Sequence, residues 1–166
     1  MSLAIEVAVE TEDWAFLDSP SRLARAAILA AVEESGVVLA ANAEVSVLFC
    51  HDSFIRELNR KWRGIDKPTN VLSFPGEGDP ALASLLGDIV IAFETASREA
   101  SEEGKLLHDH LTHLLVHGFL HLIGHDHVEA SEAEAMEALE RAILARLGID
   151  DPYRASSIQE VVGAHE

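Results

Sequence analysis

Residues 111–123, LTHLLVHGFLHLI, constrain this chain more than any other stretch. Nine of the thirteen are apolar or glycine, which fits a helix buried near the centre of a fold. Histidine interrupts the run at His113, His117 and His121, every fourth residue, so the three imidazoles stack along one helix face. Polar rings on a buried helix need partners. Whatever fold forms must cover this helix and also supply them.

A metal ion is one such partner. Imidazoles at i and i+4 are neighbours on a helix and can converge on one ion. Gly124 follows three residues after His121, and a glycine there can turn the chain sharply and bring His127 back over the helix end. The set His117, His121 and His127 reads H-x3-H-x5-H, and three neutral imidazoles suit one Zn²⁺ ion with a fourth position open for water or substrate. The plainer alternative for the His117–His121 pair is two core histidines that only hydrogen-bond. His113 and His125 fit a supporting residue, a substitute ligand or a core histidine. Asp126 fits either a carboxylate that orients a ligand ring or a cap on the turn. His108 and His110 fall in the first turns and read as ordinary polar residues.

The rest of the chain places this helix in context. Residues 3–9 read as a strand. Ser19 and Pro20 form a helix start, with Leu23, Ala26, Ala27, Ala30 and Ala31 as the apolar stripe and Gly36 as the stop. A second strand is expected at 44–50. A second helix follows, capped by Asp52 or Ser53, with Phe54, Ile55, Leu58 and Trp62 on one face and a stop near Gly64. Short strands are expected at 70–74 and at 86–93, the latter buried on both faces at its VIAF end. Leu85, Ile89 and Ile91 read as core. Helices are expected at 94–102, 105–123 and 129–147. The chain has 166 residues and is 48% hydrophobic, enough for one sizeable core. The expected fold is α+β (mixed α/β): one domain over 1–150, about four strands in one sheet packed with about five helices, then a C-terminal tail at 151–166.

Charge and composition bound the function. The net charge of −17 argues against indiscriminate nucleic-acid binding. The distribution is uneven, however. Five of the twelve Lys and Arg residues, Arg56, Arg60, Lys61, Arg63 and Lys67, fall between 56 and 67, opposed there only by Glu57 and Asp66. The stretch 129–140 carries five glutamates and no base. Local field decides what approaches a cleft. The single cysteine, Cys50, excludes a disulfide within the chain and a Cys-rich zinc module. Beside His51 it reads as a buried strand residue, not a nucleophile. The start of the chain lacks a basic leader, and no apolar run approaches the ~20 residues of a membrane span. A soluble, cytoplasmic protein is expected.

The histidine spacing matches the metzincin peptidase pattern H-E-x-x-H-x-x-G-x-x-H, except that Gly118 stands where the peptidases carry their general-base glutamate. Peptide hydrolysis by that route lacks its proton acceptor. HGFLHLIGHDH, residues 117–127, resembles the signature of the YbeY family of bacterial endoribonucleases. LNRKWRGIDKPTNVLSFP, 58–75, and LGDIVI, 86–91, are similar to that family's preceding blocks. The resemblance implies a metzincin-like zinc helix and a zinc-dependent, single-strand-specific endoribonuclease. Its implied role is 3′-end maturation of small-subunit ribosomal RNA and ribosome quality control, with RNA and the ribosome or its small subunit as partners. It implies His117, His121 and His127 as zinc ligands and Arg63 as the functional arginine. His125 departs from the family's usual tyrosine.

A phosphodiester and the charge built up during its cleavage suit a guanidinium, the role given to Arg63, with Arg60, Lys61 and Lys67 holding the RNA backbone or standing as exposed helix charges. Asp88 fits a turn or strand-end cap better than a ligand-orienting role. GEG at 76–78 lacks the context of a phosphate loop, and Ser73 that of a nucleophile elbow. Two other readings remain: a zinc peptidase, and a non-catalytic ribosome-assembly factor with structural zinc.

Overall fold

Helix starts and strand periodicity account for most of the architecture. The structure, a computed structural model, describes residues 3–10, 12, 14, 19–125 and 129–153. Among them the strands are β1 (Ala4–Val9), β2 (Glu44–Cys50), β3 (Val71–Pro75) and β4 (Leu85–Ala92). The helices are α1 (Pro20–Ser35), α2 (Asp52–Arg63), α3 (Phe93–Glu103), α4 (Leu107–Leu122) and α5 (Ala130–Arg146). The strands form one sheet in the order β1-β2-β4-β3, with β1–β2 and β2–β4 parallel and β3 antiparallel to β4. This is the expected α+β domain.

Alternation along the strands splits the apolar residues between two faces. Val45, Val47 and Phe49 of β2 and Ile89 and Ile91 of β4 join the main core with α1, α4 and α5. Cys50, Val90 and Ala92, with Leu48 packed against them, point the other way and meet Ile55 and Leu58 of α2 in a smaller cluster. The two helices richest in candidate site residues, α4 and α2, thus lie on opposite faces of the sheet.

α4 approaches the sheet closely through glycine. A Cβ added at Gly118 would stand 3.0 Å from Ile89 Cγ2. One added at Gly87 would stand 2.8 Å from Leu122 Cδ2 and 2.3 Å from the Phe74 carbonyl oxygen, and Gly87 has φ +142°. Position 118 therefore faces the sheet, and the histidine face of α4 looks toward α5.

The α1 start forms as expected: Ser19 Oγ accepts from the Arg22 amide at 3.1 Å, Pro20 opens the helix and Gly36 closes it at φ 70°. Its stripe differs, because Ala26 is exposed while Ala24 and Ile28 are buried. The start of α2 also differs. Its N-cap position is His51, whose side chain makes no capping bond, and neither Asp52 nor Ser53 caps it. Asp52 turns to α3, its two carboxylate oxygens accepting from the Thr95 amide at 3.0 Å and the Thr95 hydroxyl at 2.8 Å. Glu94 of α3 returns the contact, Oε1 accepting from the Asp52 amide at 2.7 Å. Each helix start is capped by an acid from the other.

Two core expectations are corrected. Leu85 is 46% exposed, because it opens β4 where the register with β2 shifts between Glu44 and Val45. On α2 only Ile55 of the expected stripe is fully buried. Phe54 and Trp62 are exposed, because the helix covers only part of its sheet face. The expected tail at 151–166 lies outside the described residues beyond Tyr153.

Replacing Asp52 by Ala removes both acceptors from the α3 start. Urea denaturation should show a loss of about 1–2 kcal/mol, as for other lost helix caps. Gly118→Ala should cost about 1–3 kcal/mol by overpacking against Ile89.

Candidate metal centre

The C-terminal half of α4 and the turn after it orient two histidines toward one point. Gly124, at φ 104°, turns the chain, and the His125 amide donates to the Leu120 carbonyl at 2.9 Å. The turn lays the His125 carbonyl over His121, whose Nδ1 donates to it at 3.0 Å. One turn earlier, His117 Nδ1 donates to Glu140 Oε2 at 2.7 Å. A carbonyl and a carboxylate only accept, so both rings carry their proton on Nδ1 and present an Nε2 lone pair. The two Nε2 atoms are 3.2 Å apart. Two such acceptors face each other stably only around a cation or a shared proton. The separation fits the edge of about 3.3 Å between two nitrogens of a tetrahedral zinc with Zn–N bonds of about 2.0–2.1 Å.

Among the described residues no third His, Cys, Asp or Glu completes a group that could hold a metal. His127 and Asp126 lie outside the described residues. His125 contributes through its main-chain carbonyl, a service that any residue at this position can give.

Sequence reasoning missed Glu140. It is fully buried on α5, and its Oε1 accepts from His113 Nε2 at 2.8 Å and from the Tyr153 hydroxyl. Burial alone would raise the Glu140 pKa, but the bonds from His113 and His117 outweigh it and hold the carboxyl well below the usual range. Burial lowers the His113 pKa despite its bond to Glu140. Burial, with the Glu140 charge beside it, raises the Tyr153 pKa. The signal was present in the sequence: Glu140 falls on the same buried face as Met136, Ile143 and Leu144. His110 is likewise not an ordinary polar residue. It is buried, with Nε2 2.9 Å from Glu99 Oε1, which also accepts from Asn70 Nδ2 at 2.9 Å.

The residues 7–148 match the family model described as Endoribonuclease YbeY. The chain belongs to the YbeY endoribonuclease family. It is 60% identical over 154 residues to the endoribonuclease YbeY of Methylocella silvestris, covering 93% of this chain and 88% of that one. Against the Beijerinckia indica endoribonuclease YbeY the identity is 56%, over 92% and 78% of the two chains. The solution structure of TM1509 from Thermotoga maritima shares the fold with a TM-score of 0.54 at 23% identity, covering 97% of this chain and 99% of that one.

In this YbeY chain the basic cluster divides. Arg56 pairs with Asp66 at 2.8 Å and Arg60 with Glu57 at 2.6 Å. Arg63, the last residue of α2, is exposed and makes no ion pair among the described residues. Asn59, buried, fixes the loop beyond it: its side-chain amide donates to the Lys67 carbonyl at 2.9 Å. The structure brings His117 and His121 together and places Arg63 on the helix across the sheet from α4.

On that same face a groove of roughly 660 Å³ runs between α2 and the sheet, lined by Phe54, Leu58, Trp62 and Phe74 with Glu6 and Asp88. Asp88 is exposed in the middle of β4, so it caps neither a turn nor a strand end and faces away from the histidines. No helix among the described residues is long and apolar enough to cross a membrane.

Cys50 is fully buried, and its thiol is pushed up to about 12 by burial and by the nearby carboxylates Glu10, Asp52 and Glu94. At pH 8 the thiol stays protonated. Iodoacetamide should label the native protein far more slowly than the urea-unfolded chain, as read by mass spectrometry.

Proposed function

We propose that this chain is a zinc-dependent, single-strand-specific endoribonuclease of the cytoplasm. In this reading it acts in 3′-end maturation of small-subunit ribosomal RNA and in ribosome quality control, on or near the small subunit. One observation carries the metal part: the Nε2 atoms of His117 and His121 converge at 3.2 Å while each Nδ1 is committed as a donor. His127 completes the ligand set, and the imidazole donors suit zinc. The RNA part rests on family membership and on the basic end of α2.

Zinc bound at these three histidines supplies a Lewis acid for the scissile phosphodiester. The remaining work belongs to the chain's own groups. Arg63, without an acidic partner among the described residues, stands beside Trp62, whose ring meets Phe74 of the edge strand β3 with centroids 6.4 Å apart; in this reading it reaches round that edge to non-bridging phosphate oxygens and stabilises the charge that grows on them. Lys61 and Lys67 hold the flanking backbone. Arg60, already paired with Glu57, contributes less. Glu140 and the His125 carbonyl keep the two imidazoles turned toward the ion.

Gly118 argues against the peptidase reading on steric grounds as well as by its missing carboxylate. A Cβ at that position would stand 3.0 Å from Ile89 Cγ2, so a larger side chain there crowds the sheet.

Arg63→Glu should stay folded and zinc-bound yet lose at least about 100-fold in cleavage of a single-stranded RNA, the scale of one lost oxyanion donor. His121→Ala should lose both zinc and cleavage. Intact processing by the Arg63→Glu variant overturns the mechanism and favours an assembly role. Product ends identify the nucleophile: a 2′,3′-cyclic phosphate shows attack by the RNA 2′-hydroxyl, and a 5′-phosphate paired with a 3′-hydroxyl shows attack by water.

A further inference from the structure

Glu140 is a charged residue where an apolar one would pack. It shares the buried face of α5 with Met136, Ile143 and Leu144, and none of its surface is exposed. A buried carboxylate is costly unless every lone pair is used, and leucine would serve the core better. Its two oxygens are used differently. Oε2 accepts from His117 Nδ1 at 2.7 Å. Oε1 accepts from His113 Nε2 at 2.8 Å and from the Tyr153 hydroxyl.

His113 shows what the arrangement costs elsewhere. Its second nitrogen, Nδ1, is buried without a hydrogen-bond partner among the described residues. The ring stands edge-on to both His117, with centroids 6.4 Å apart, and Tyr153, at 5.4 Å. A buried histidine that leaves one nitrogen unsatisfied in order to donate to Glu140 is poorly explained as core packing. It is well explained as a support that keeps one carboxylate in one pose.

We propose that Glu140 is the positioning residue of the metal centre: it holds His117 as the Nδ1–H tautomer with Nε2 toward the ion, and His113 and Tyr153 hold Glu140 in place. The proposal rests on the reading of His117 and His121 as metal ligands. It ties the segment after α5 to ligand geometry, since Tyr153 lies beyond the helix end and reaches back to the same oxygen as His113.

Two measurements on the full chain test it. In the metal-free wild type, ¹⁵N NMR of the histidine rings should show His117 protonated on Nδ1; protonation on Nε2 overturns the proposal whatever the variants do. Zinc affinity is then measured by chelator competition for the wild type, Glu140→Gln and Tyr153→Phe. Glu140→Gln should bind zinc about 10–100-fold more weakly, with a mixed His117 tautomer. Tyr153→Phe should bind about five-fold more weakly, the share of one neutral hydrogen bond, and keep the tautomer. Wild-type zinc affinity in Glu140→Gln overturns the positioning role alone. A wild type that binds no zinc overturns the metal reading and the proposal with it.

Discussion

Every residue of α4 from His110 to Leu120 is buried, histidines included, and the surrounding structure answers to that burial. The face toward the sheet is apolar and ends in glycine, so α4 lies close beneath β4. The opposite face carries imidazoles that cannot be left without partners. α5 and the segment ending at Tyr153 meet this demand with one carboxylate and one hydroxyl. The fold thus covers its central helix with apolar surface on one side and with a small, ordered set of polar groups on the other.

The sheet separates two chemical environments. On the α4 side two ring nitrogens are aimed at a common point near the end of the helix, where the buried His117 meets the half-buried His121. On the α2 side lie exposed aromatic residues, a groove bearing two carboxylates, and a helix whose last turn is basic. A chain with a net charge of −17 can still present a cationic surface where these residues cluster, because among the described residues two of the five bases are paired and the others make no ion pair. β3, at the sheet edge and antiparallel to β4, lies between these two regions.

Features set by neighbours in sequence were legible. Ser19 and Pro20 start α1, and Gly36, Gly64 and Gly104 end their helices in the left-handed conformation. The His117–His121 pair and the Gly124 turn follow from helical periodicity and the freedom of glycine. What escaped depends on partners remote in sequence. Glu140 is the last of the five glutamates in the acidic stretch 129–140, and only its coincidence with Met136, Ile143 and Leu144 marks it as buried. Asp52 has the residue type and place of a local cap, but its acceptors serve Thr95, 43 residues away. Phe54 and Trp62 share a helical face with Ile55, yet their exposure is decided by how much of the sheet α2 covers.

The exchange of acids between Asp52 and Glu94 bears on how the chain folds. Neither carboxylate serves a donor at the other helix until the ends of β2 and β4 lie side by side, and those ends come together as Cys50 pairs with Ala92. The beginnings of α2 and α3 are therefore completed by strand pairing and not by their own sequence. Before β2 and β4 align, both helices carry unsatisfied amides at their first turns and should fray. Once they align, both starts are secured in one event. Parallel pairing of this kind gains no help from a short connecting turn. A reciprocal latch at its end makes the correct register cooperative, because a slip of one residue would release both helices together.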